Sequence, residues 1–253
     1  MNRFQKLTLH QGVAVPQIPR PLKSRTATVF LEPSKALTKL DKVLAGGDIS
    51  ICLSRSHGGI GDVLMTTPTI RAIKQKYKNC RLVYATDFSY LNGALAAVLQ
   101  GNPYIDEVVD HAKVREDDFD VYISLTCPCV AHEVPKAPPI HRIDLFARHA
   151  QVVLEDKSMI YVMTEEERGW GKAWLEKRGV NKFHKVILIS PFASHWRRSW
   201  DVRKWQETIG LLTQSDKDIR VITVTHSSDY KQVDWNQVNS TVMHNFGVRQ
   251  IAA

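Results

Sequence analysis

The sequence lacks a long apolar run, and this absence argues against a membrane-spanning helix. No stretch of the 253 residues approaches the length of a span, which takes roughly 20 consecutive apolar residues. The segment from Met1 to Arg25 carries basic residues and prolines but no apolar core, so it does not read as a secretory signal. We therefore expect a cytoplasmic protein.

Cysteine is scarce as well. The chain has four cysteines, too few for a disulfide scaffold in a protein of this length. Cys52 falls in a predicted strand and is expected to be a buried thiol. Cys127 and Cys129 flank Pro128, but no second cysteine pair provides the spacing typical of a zinc or redox site. The sequence predicts reduced thiols and no metal site.

Acidic residues are outnumbered, and the formal net charge is +8. An excess of positive charge favours anionic partners. Such a partner could be nucleic acid, a phosphorylated lipid headgroup or a nucleotide diphosphate. The sequence contains no nucleic-acid-binding motif and no array of stacking aromatics, so we expect no nucleic-acid partner. The apolar fraction of 43% is ordinary for a folded protein.

A glycine-rich turn is the most informative local feature. The apolar run Ile49–Leu53 predicts a buried parallel strand, and Asp62 follows three glycines, Gly58, Gly59 and Gly61. Apolar residues at helical spacing continue from there to Tyr77. A strand, a glycine turn and a helix start bring backbone N–H groups together, which favours an anionic ligand. The pattern predicts a functional site that contains one acid.

Two familiar glycine loops do not fit this turn. A P-loop requires lysine after its last glycine, whereas Asp62 follows Gly61. A dinucleotide fingerprint requires a third glycine where the chain has Leu64. Asp87, after the second predicted strand, would serve as the ribose-binding acid of such a fold. A nicotinamide-dependent oxidoreductase therefore stays open as an alternative.

Strand and helix patterns alternate along the chain, as in a doubly wound parallel sheet. The elements predicted before residue 160 are strands at Ile49–Leu53, Arg81–Ala85, Glu107–Val109 and Val121–Leu125, and helices at Asp62–Tyr77, Tyr90–Gln100 and Ile143–Gln151. Pro68 should break the first helix, with Thr66 or Thr67 as the new cap.

A second unit should begin near Met163. Thr164 and Glu167 form a capping-box pattern, and Gly179 should end the helix that follows. The elements predicted after this helix are Val186–Ser190, Val202–Thr213, Arg220–Thr225 and Tyr230–Val238, and a short strand and turn at 243–247.

Several motifs occur in a fixed order. They are GIGDVLMTTPTIRAIK (59–74), NPYIDEVV (102–109), DVYISL (120–125), HRID (141–144), ILISPFAS (187–194), RSW (198–200) and KW (204–205). From about residue 48 to its end, the chain thereby resembles glycosyltransferase family 9, the ADP-heptose:lipopolysaccharide heptosyltransferases.

This resemblance implies an α/β, GT-B-like fold with two Rossmann-like, doubly wound parallel-sheet domains. We expect an N-terminal extension at 1–47, an acceptor-side domain at 48–162 and a partial nucleotide-sugar domain at 163–253. The family's later Asp-x-Gly-x-x-His-like block has no counterpart here, so the second domain is expected to be incomplete.

The resemblance also assigns roles to residues. Asp62 matches the family's catalytic base, although a plain N-cap role would also explain an aspartate here. Ala193, Ser194 and Arg198 match positions that bind the donor diphosphate, and Ala193 lacks the hydroxyl often found there. The loop with His57, Gly58, Gly59 and Gly61 is expected to receive the acceptor or a phosphate.

No metal or other cofactor is implied beyond the nucleotide-sugar co-substrate. Asp118-Phe119-Asp120 has the spacing of a metal motif known from another glycosyltransferase fold class. We interpret it as coincidence in an acidic stretch. His141 and Asp144 are read as residues that start a helix.

The resemblance predicts an inverting glycosyltransferase. It would move a heptose or related sugar from an ADP-linked donor to an anionic glycan or glycolipid, such as the lipopolysaccharide core, with peripheral contact to the inner membrane. The alternative is a truncated, non-catalytic relative that binds a glycan or a partner, an interpretation based on the missing block and on Ala193.

Overall fold

The computed structural model describes residues 49–126, 140–193, 199–225 and 239–253. The chain divides into two compact units, Met1–Val162 and Met163–Ala253, and the second begins at the residue where the sequence-predicted second domain starts. The predicted extension at 1–47, the Cys127 and Cys129 pair and the predicted helix Tyr230–Val238 lie outside the described residues.

The first unit is built on a parallel sheet of four strands in the order β3-β2-β1-β4. These strands are β1 Ser50–Arg55, β2 Arg81–Thr86, β3 Glu107–Asp110 and β4 Val121–Ser124. The chain moves outward from β1 to β3 and then crosses back to β4, on the other side of β1. This order creates a topological switch between β1 and β4, where α/β folds place their ligands at the carboxyl ends of the strands.

The described helices of this unit are α1 Ile60–Leu64, α2 Thr67–Lys76, α3 Ala94–Ala97 and α4 Arg142–His149. The predicted break at Pro68 is confirmed, because Pro68 lies in the first turn of α2, where its missing N–H costs nothing.

The predicted position of the threonine cap is confirmed. Thr66 is the N-cap of α2, but its side chain makes no capping bond. Instead, the Thr66 hydroxyl donates to the carbonyl of Val63 at 2.6 Å and lies 3.0 Å from the Tyr84 hydroxyl. Tyr84 is fully buried in β2, and this burial raises the pKa of its phenol above the usual range. The pair fixes the α1–α2 junction to the sheet.

The predicted helix Tyr90–Gln100 forms only in part. Leu91 and Asn92 have φ values of +43° and +54°, and Gly93 has +85°. Asparagine and glycine adopt this left-handed region more readily than other residues, so the segment begins as a 3-10 turn, Tyr90–Gly93. Only Ala94–Ala97 is α-helical.

The second unit has a parallel three-stranded sheet in the order β5-β6-β7. Its described elements are α5 Glu165–Glu176, β5 Lys185–Ile189, α6 Val202–Ser215, β6 Ile219–Thr225, β7 Ser240–His244 and α7 Val248–Ala252. The capping box at Thr164 is confirmed: its hydroxyl accepts the Glu167 N–H at 3.1 Å. Gly179 has a φ of +73°, consistent with its predicted role as the stop after α5.

Glu167 also joins two helices of this unit. The guanidinium of Arg249 in α7 makes a bidentate ion pair with its carboxylate, in which one bond measures 2.5 Å. This Arg249 pairing lowers the pKa of Glu167 to about 2. Near the pair, the Phe246 ring lies 5.7 Å from that of Trp170 and 5.9 Å from that of Trp174. The ion pair and the rings hold α7 against α5.

Stability should depend on pH through this pair. Because the pKa of Glu167 is lowered on folding, its contribution is present above the ordinary value of 4.5 and is lost as the pH falls towards about 2. Glu167→Gln keeps a residue that can cap α5 but removes the charge. In urea titrations, the variant should be less stable than the wild type at pH 6, and the difference should shrink below about pH 4.5.

The control is Glu166→Gln, which changes the exposed neighbour of Glu167. A difference that stays constant with pH would contradict this assignment.

Candidate active site

The turn between β1 and α1 places Asp62 at the carboxyl end of the central strand. Gly59 is the N-cap of α1, and the Asp62 Oδ2 atom accepts the Gly59 N–H at 2.9 Å. Asp62 is therefore not the N-cap residue itself, but it caps the helix from the third helical position. The sequence predicts an anionic ligand at the start of α1. In the structure, the Asp62 carboxylate itself accepts a hydrogen bond there.

Of the three glycines in the turn, Gly58 is the one that must be glycine. It has a φ of +121°, and a Cβ atom there would lie 2.7 Å from Asp62 Oδ2 and 2.8 Å from Arg55 Nη2. A Cβ on Gly61 would meet no atom within 4 Å. The turn thus needs glycine at position 58 so that the backbone can pass close to the carboxylate.

Two arginines converge on Asp62. The Arg142 Nη1 atom bonds to Asp62 Oδ1, and Arg55 Nη2 lies 4.0 Å from the same oxygen. Arg55 ends β1 and Arg142 begins α4, so the cluster joins two elements that are far apart in the sequence. Two guanidinium groups thus face one carboxylate.

Arg55 is held rigidly beneath this cluster. It is only 4% exposed, its Nη1 atom donates to the carbonyl of Leu125 at 3.0 Å, and its guanidinium carbon lies 5.5 Å from the centre of the Phe146 ring. Phe146 is fully buried and is one helical turn beyond Arg142 in α4. Residues four apart share a helix face, so one face of α4 presents both the ring under Arg55 and the cation on Asp62.

Sequence reasoning missed both arginines as site residues. Arg142 stood in the motif HRID, but nothing local indicated that its side chain reaches a carboxylate 80 positions earlier. The neighbouring residues have the predicted helix-start roles: His141 Nδ1 accepts the Ile143 N–H at 3.3 Å. Asp144 lies in the first turn of α4 and pairs with Lys157 at 2.7 Å.

The rest of the predicted loop belongs to the turn that precedes Asp62. His57 is exposed, and its Nδ1 atom lies 2.9 Å from the hydroxyl of Ser56. That hydroxyl in turn lies 3.3 Å from the hydroxyl of Thr126, two residues beyond β4. The expected contact of His57, Gly58, Gly59 and Gly61 with an acceptor or phosphate stays a prediction.

Two other acidic residues, Asp87 and Asp120, accept hydrogen bonds from nearby serines. Asp87 accepts the N–H and the hydroxyl of Ser89 at 2.8 and 2.6 Å, and these bonds lower its pKa. Asp120 accepts the N–H of Ser50 at 2.9 Å, at the amino ends of β4 and β1. Asp62 lies at the opposite end of this sheet, so the Asp118-Phe119-Asp120 motif does not reach it. Across the four described ranges, no group of three or more potential ligands is placed to hold a metal.

The predicted donor residues are only partly described. Ala193 is exposed, and its N–H donates to the hydroxyl of Ser199 at 3.2 Å. Ser194 and Arg198 lie outside the described residues, so their role towards a diphosphate stays a prediction. Cys52 and Cys80 are buried free thiols, and burial raises the pKa of Cys52 to about 12. In the part of the chain that the structure covers, no helix is long and apolar enough to cross a bilayer.

Comparison with known proteins identifies solved structures that have a similar fold. Neither a family model nor a curated protein sequence matches the chain. Among solved structures, a glycosyl transferase family 9 protein from Veillonella parvula has a TM-score of 0.63 at 16% identity, with 81% of this chain and 72% of that protein covered. The E. coli heptosyltransferase WaaC with ADP has a TM-score of 0.52 at 13% identity, over 81% of this chain and 77% of its own length.

A third solved structure is the dodecameric, iron-containing heptosyltransferase TibC with ADP-D-beta-D-heptose. It has a TM-score of 0.53 at 15% identity, and the match covers 81% of this chain but only 50% of TibC. Similarities at these identities show the fold. The protein therefore has the heptosyltransferase-like, GT-B-like α/β fold of glycosyltransferase family 9, with Rossmann-like parallel sheets, the second of them short.

Proposed function

We propose that the protein is an inverting glycosyltransferase that moves a heptose or a related sugar from a nucleotide-diphosphate donor to an anionic bacterial glycan or glycolipid. The observation that carries the proposal is the Asp62 carboxylate, held at the carboxyl end of β1 by the Gly59 N–H and two arginines. In a fold shared with family 9 proteins, a carboxylate at this place supports the role of a general base.

In the proposed reaction, Asp62 takes the proton of an acceptor hydroxyl as its oxygen attacks the anomeric carbon of the donor sugar. The bond between that carbon and the diphosphate oxygen breaks, and the nucleotide diphosphate leaves with the electron pair. Attack from the face opposite the leaving group inverts the anomeric centre. Such general-base assistance contributes about 100- to 10,000-fold to a rate.

We assign the diphosphate to the turn after β5. Arg198 would neutralise the leaving group through bidentate hydrogen bonds, and the backbone around Ala193 and the hydroxyl of Ser194 would supply further donors. An ADP-linked donor is supported by the solved structures of WaaC with ADP and TibC with ADP-D-beta-D-heptose. A glycolipid acceptor would bring the protein to the cytoplasmic face of the inner membrane.

Nucleotide binding tests this assignment without knowledge of the acceptor. In calorimetry with ADP, UDP and GDP, we expect selective binding of ADP. Arg198→Ala should weaken binding about 10- to 100-fold, since hydrogen bonds to charged groups are worth about 1.5–3 kcal/mol. The matched control is Arg203→Ala, which removes a highly exposed cation from the first turn of α6.

The outcome separates the proposal from its main alternative. Absence of nucleotide binding by folded protein would overturn the donor assignment, and a non-catalytic glycan-binding or partner-binding protein would then be the better interpretation. Equal losses in both arginine variants would show that the general positive charge, rather than a site at Arg198, attracts the nucleotide.

A further inference from the structure

We infer that the turn after β2 is a membrane-docking surface. Three of its residues, Phe88, Tyr90 and Leu91, would insert into the lipid layer that carries a glycolipid acceptor, and we call them the apolar turn. The inference rests on the proposed function, because a glycolipid acceptor is the reason to choose a lipid layer as the partner.

The apolar turn concentrates exposed hydrophobic surface in one place. Phe88, Tyr90 and Leu91 are 39%, 38% and 58% exposed. Among the described residues of the first unit, the other large apolar residues with comparable exposure are Val153 and Met159, which come much later in the chain. Scattered exposed apolar residues are ordinary, whereas a contiguous group of them points to a protein or membrane contact.

The backbone of the turn is unfavourable for an exposed leucine. Leu91 and Asn92 have φ values of +43° and +54°, in the left-handed region that few side chains other than asparagine and aspartate adopt. This conformation costs free energy at Leu91, and a side chain that is 58% exposed recovers little of it by packing. Residues held in such conformations cluster at functional sites, so the strain points to a function for the turn.

The turn is anchored on both sides, so it presents its side chains in a fixed arrangement. Before it, Asp87 accepts the N–H and the hydroxyl of Ser89 at 2.8 and 2.6 Å. After it, Leu95 in α3 is only 1% exposed and fixes the chain to the core. These anchors hold the apolar turn at the surface.

The apolar turn lies at the same edge of the sheet as Asp62. Arg55 and Thr86, the last residues of β1 and β2, are register partners, so the turns that follow these strands are neighbours. The Tyr90 hydroxyl lies 3.8 Å from the position that a Cβ atom would take on Gly59, and the Gly59 N–H donates to Asp62. A lipid layer at this turn would hold its glycolipids beside the proposed base.

A lipid layer fits this surface better than a second protein does. A large aromatic side chain buries about 150–250 Å² when fully covered, so three residues that are about half exposed offer roughly 300 Å². A standard protein interface buries about 800 Å² on each partner. Binding to a bilayer strengthens with inserted apolar area and with attraction to anionic lipids, and the chain has a net charge of +8.

Vesicle binding tests the inference on the full chain. Protein is mixed with sucrose-loaded vesicles of equimolar phosphatidylethanolamine and phosphatidylglycerol, and the bound fraction is measured by co-sedimentation. We expect the wild type to bind and Leu91→Asn to bind about 4- to 20-fold more weakly, as for the loss of a leucine side chain that is 58% exposed. Asparagine adopts the left-handed backbone readily, so the variant should keep the turn.

The matched control is Val153→Asn. Val153 is 87% exposed and follows α4, which begins with Arg142 beside Asp62 and is about 12 Å long. This variant loses a more exposed apolar residue away from the turn and should change binding by no more than about twofold. Vesicles of phosphatidylcholine should bind all the proteins less but keep the ratio between wild type and Leu91→Asn, because insertion does not depend on headgroup charge.

The inference is overturned if the wild type binds neither kind of vesicle, if Leu91→Asn binds like the wild type, or if Val153→Asn weakens binding equally. Self-association that Leu91→Asn abolishes, without vesicle binding, would also overturn it and assign the turn to a protein contact.

Calorimetry with ADP separates this result from the proposed function. Leu91→Asn should bind ADP like the wild type, since the donor site is assigned to the second unit. Vesicle binding by a protein that binds no nucleotide would reject the proposed function but keep the docking surface. Nucleotide binding without vesicle binding would do the reverse.

Discussion

Asp62→Asn should lower the rate of sugar transfer by about 100- to 10,000-fold, the range expected when a general base is removed. The amide has nearly the same shape as the carboxylate but has no basicity at neutral pH. Its carbonyl oxygen can still accept one of the hydrogen bonds that Gly59 and Arg142 now make to Asp62. We therefore expect a folded protein that binds donor nucleotide and turns over slowly, as measured by release of the nucleotide diphosphate.

Asp144→Asn provides the comparison for this result. Asp144 is an acid in the same unit, but it pairs with Lys157 at 2.7 Å and not with the Asp62 cluster. It should transfer sugar at close to the wild-type rate. Full transfer activity in Asp62→Asn, with unfolding transitions that match the wild type, would show that Asp62 is not the base and that its capping of α1 is its whole role.

Gly58→Ala should damage both stability and catalysis. At a φ of +121°, a side chain adds about 1–3 kcal/mol of backbone strain. The new Cβ atom would also lie 2.7 Å from Asp62 Oδ2 and 2.8 Å from Arg55 Nη2. The carboxylate must then move, and a displacement of about 1 Å in a catalytic group can cost about 100-fold in rate. Urea unfolding and nucleotide release assays measure the two effects.

The turn contains its own control in Gly61→Ala. Gly61 lies in α1, and a Cβ atom there has no neighbour within 4 Å. Alanine also favours a helix over glycine by about 1 kcal/mol. We expect Gly61→Ala to match or exceed the stability of the wild type and to keep its activity. If Gly58→Ala and Gly61→Ala changed stability and activity equally, the contact of the new Cβ atom with Asp62 would not explain the effect at position 58.

The sequence predicted well those elements that are determined by interactions between residues close together in the chain. Pro68 breaks the helix because its ring excludes an internal hydrogen bond, and Thr164 and Glu167 cap α5 through reciprocal bonds across four residues. The segment Tyr90–Gln100 failed because its apolar spacing was read as one helix, whereas Asn92 and Gly93 adopt left-handed conformations. Thr66 is the predicted N-cap of α2, but its hydroxyl makes no capping bond, because it donates to the carbonyl of Val63 and lies 3.0 Å from the hydroxyl of Tyr84, 18 positions later.

The sequence by itself determined the parallel α/β order, the glycine turn and the presence of one acid at the end of β1, since backbone geometry and apolar spacing are local properties. Only the tertiary structure decided what surrounds that acid. Arg55 faces it from the last position of β1 itself, and Arg142 reaches it from α4, 80 positions away. No local pattern encodes such a meeting, because it depends on how α4 packs against β1 through Phe146 and Arg55. That packing sets which cations surround Asp62 and how far its side chain is exposed.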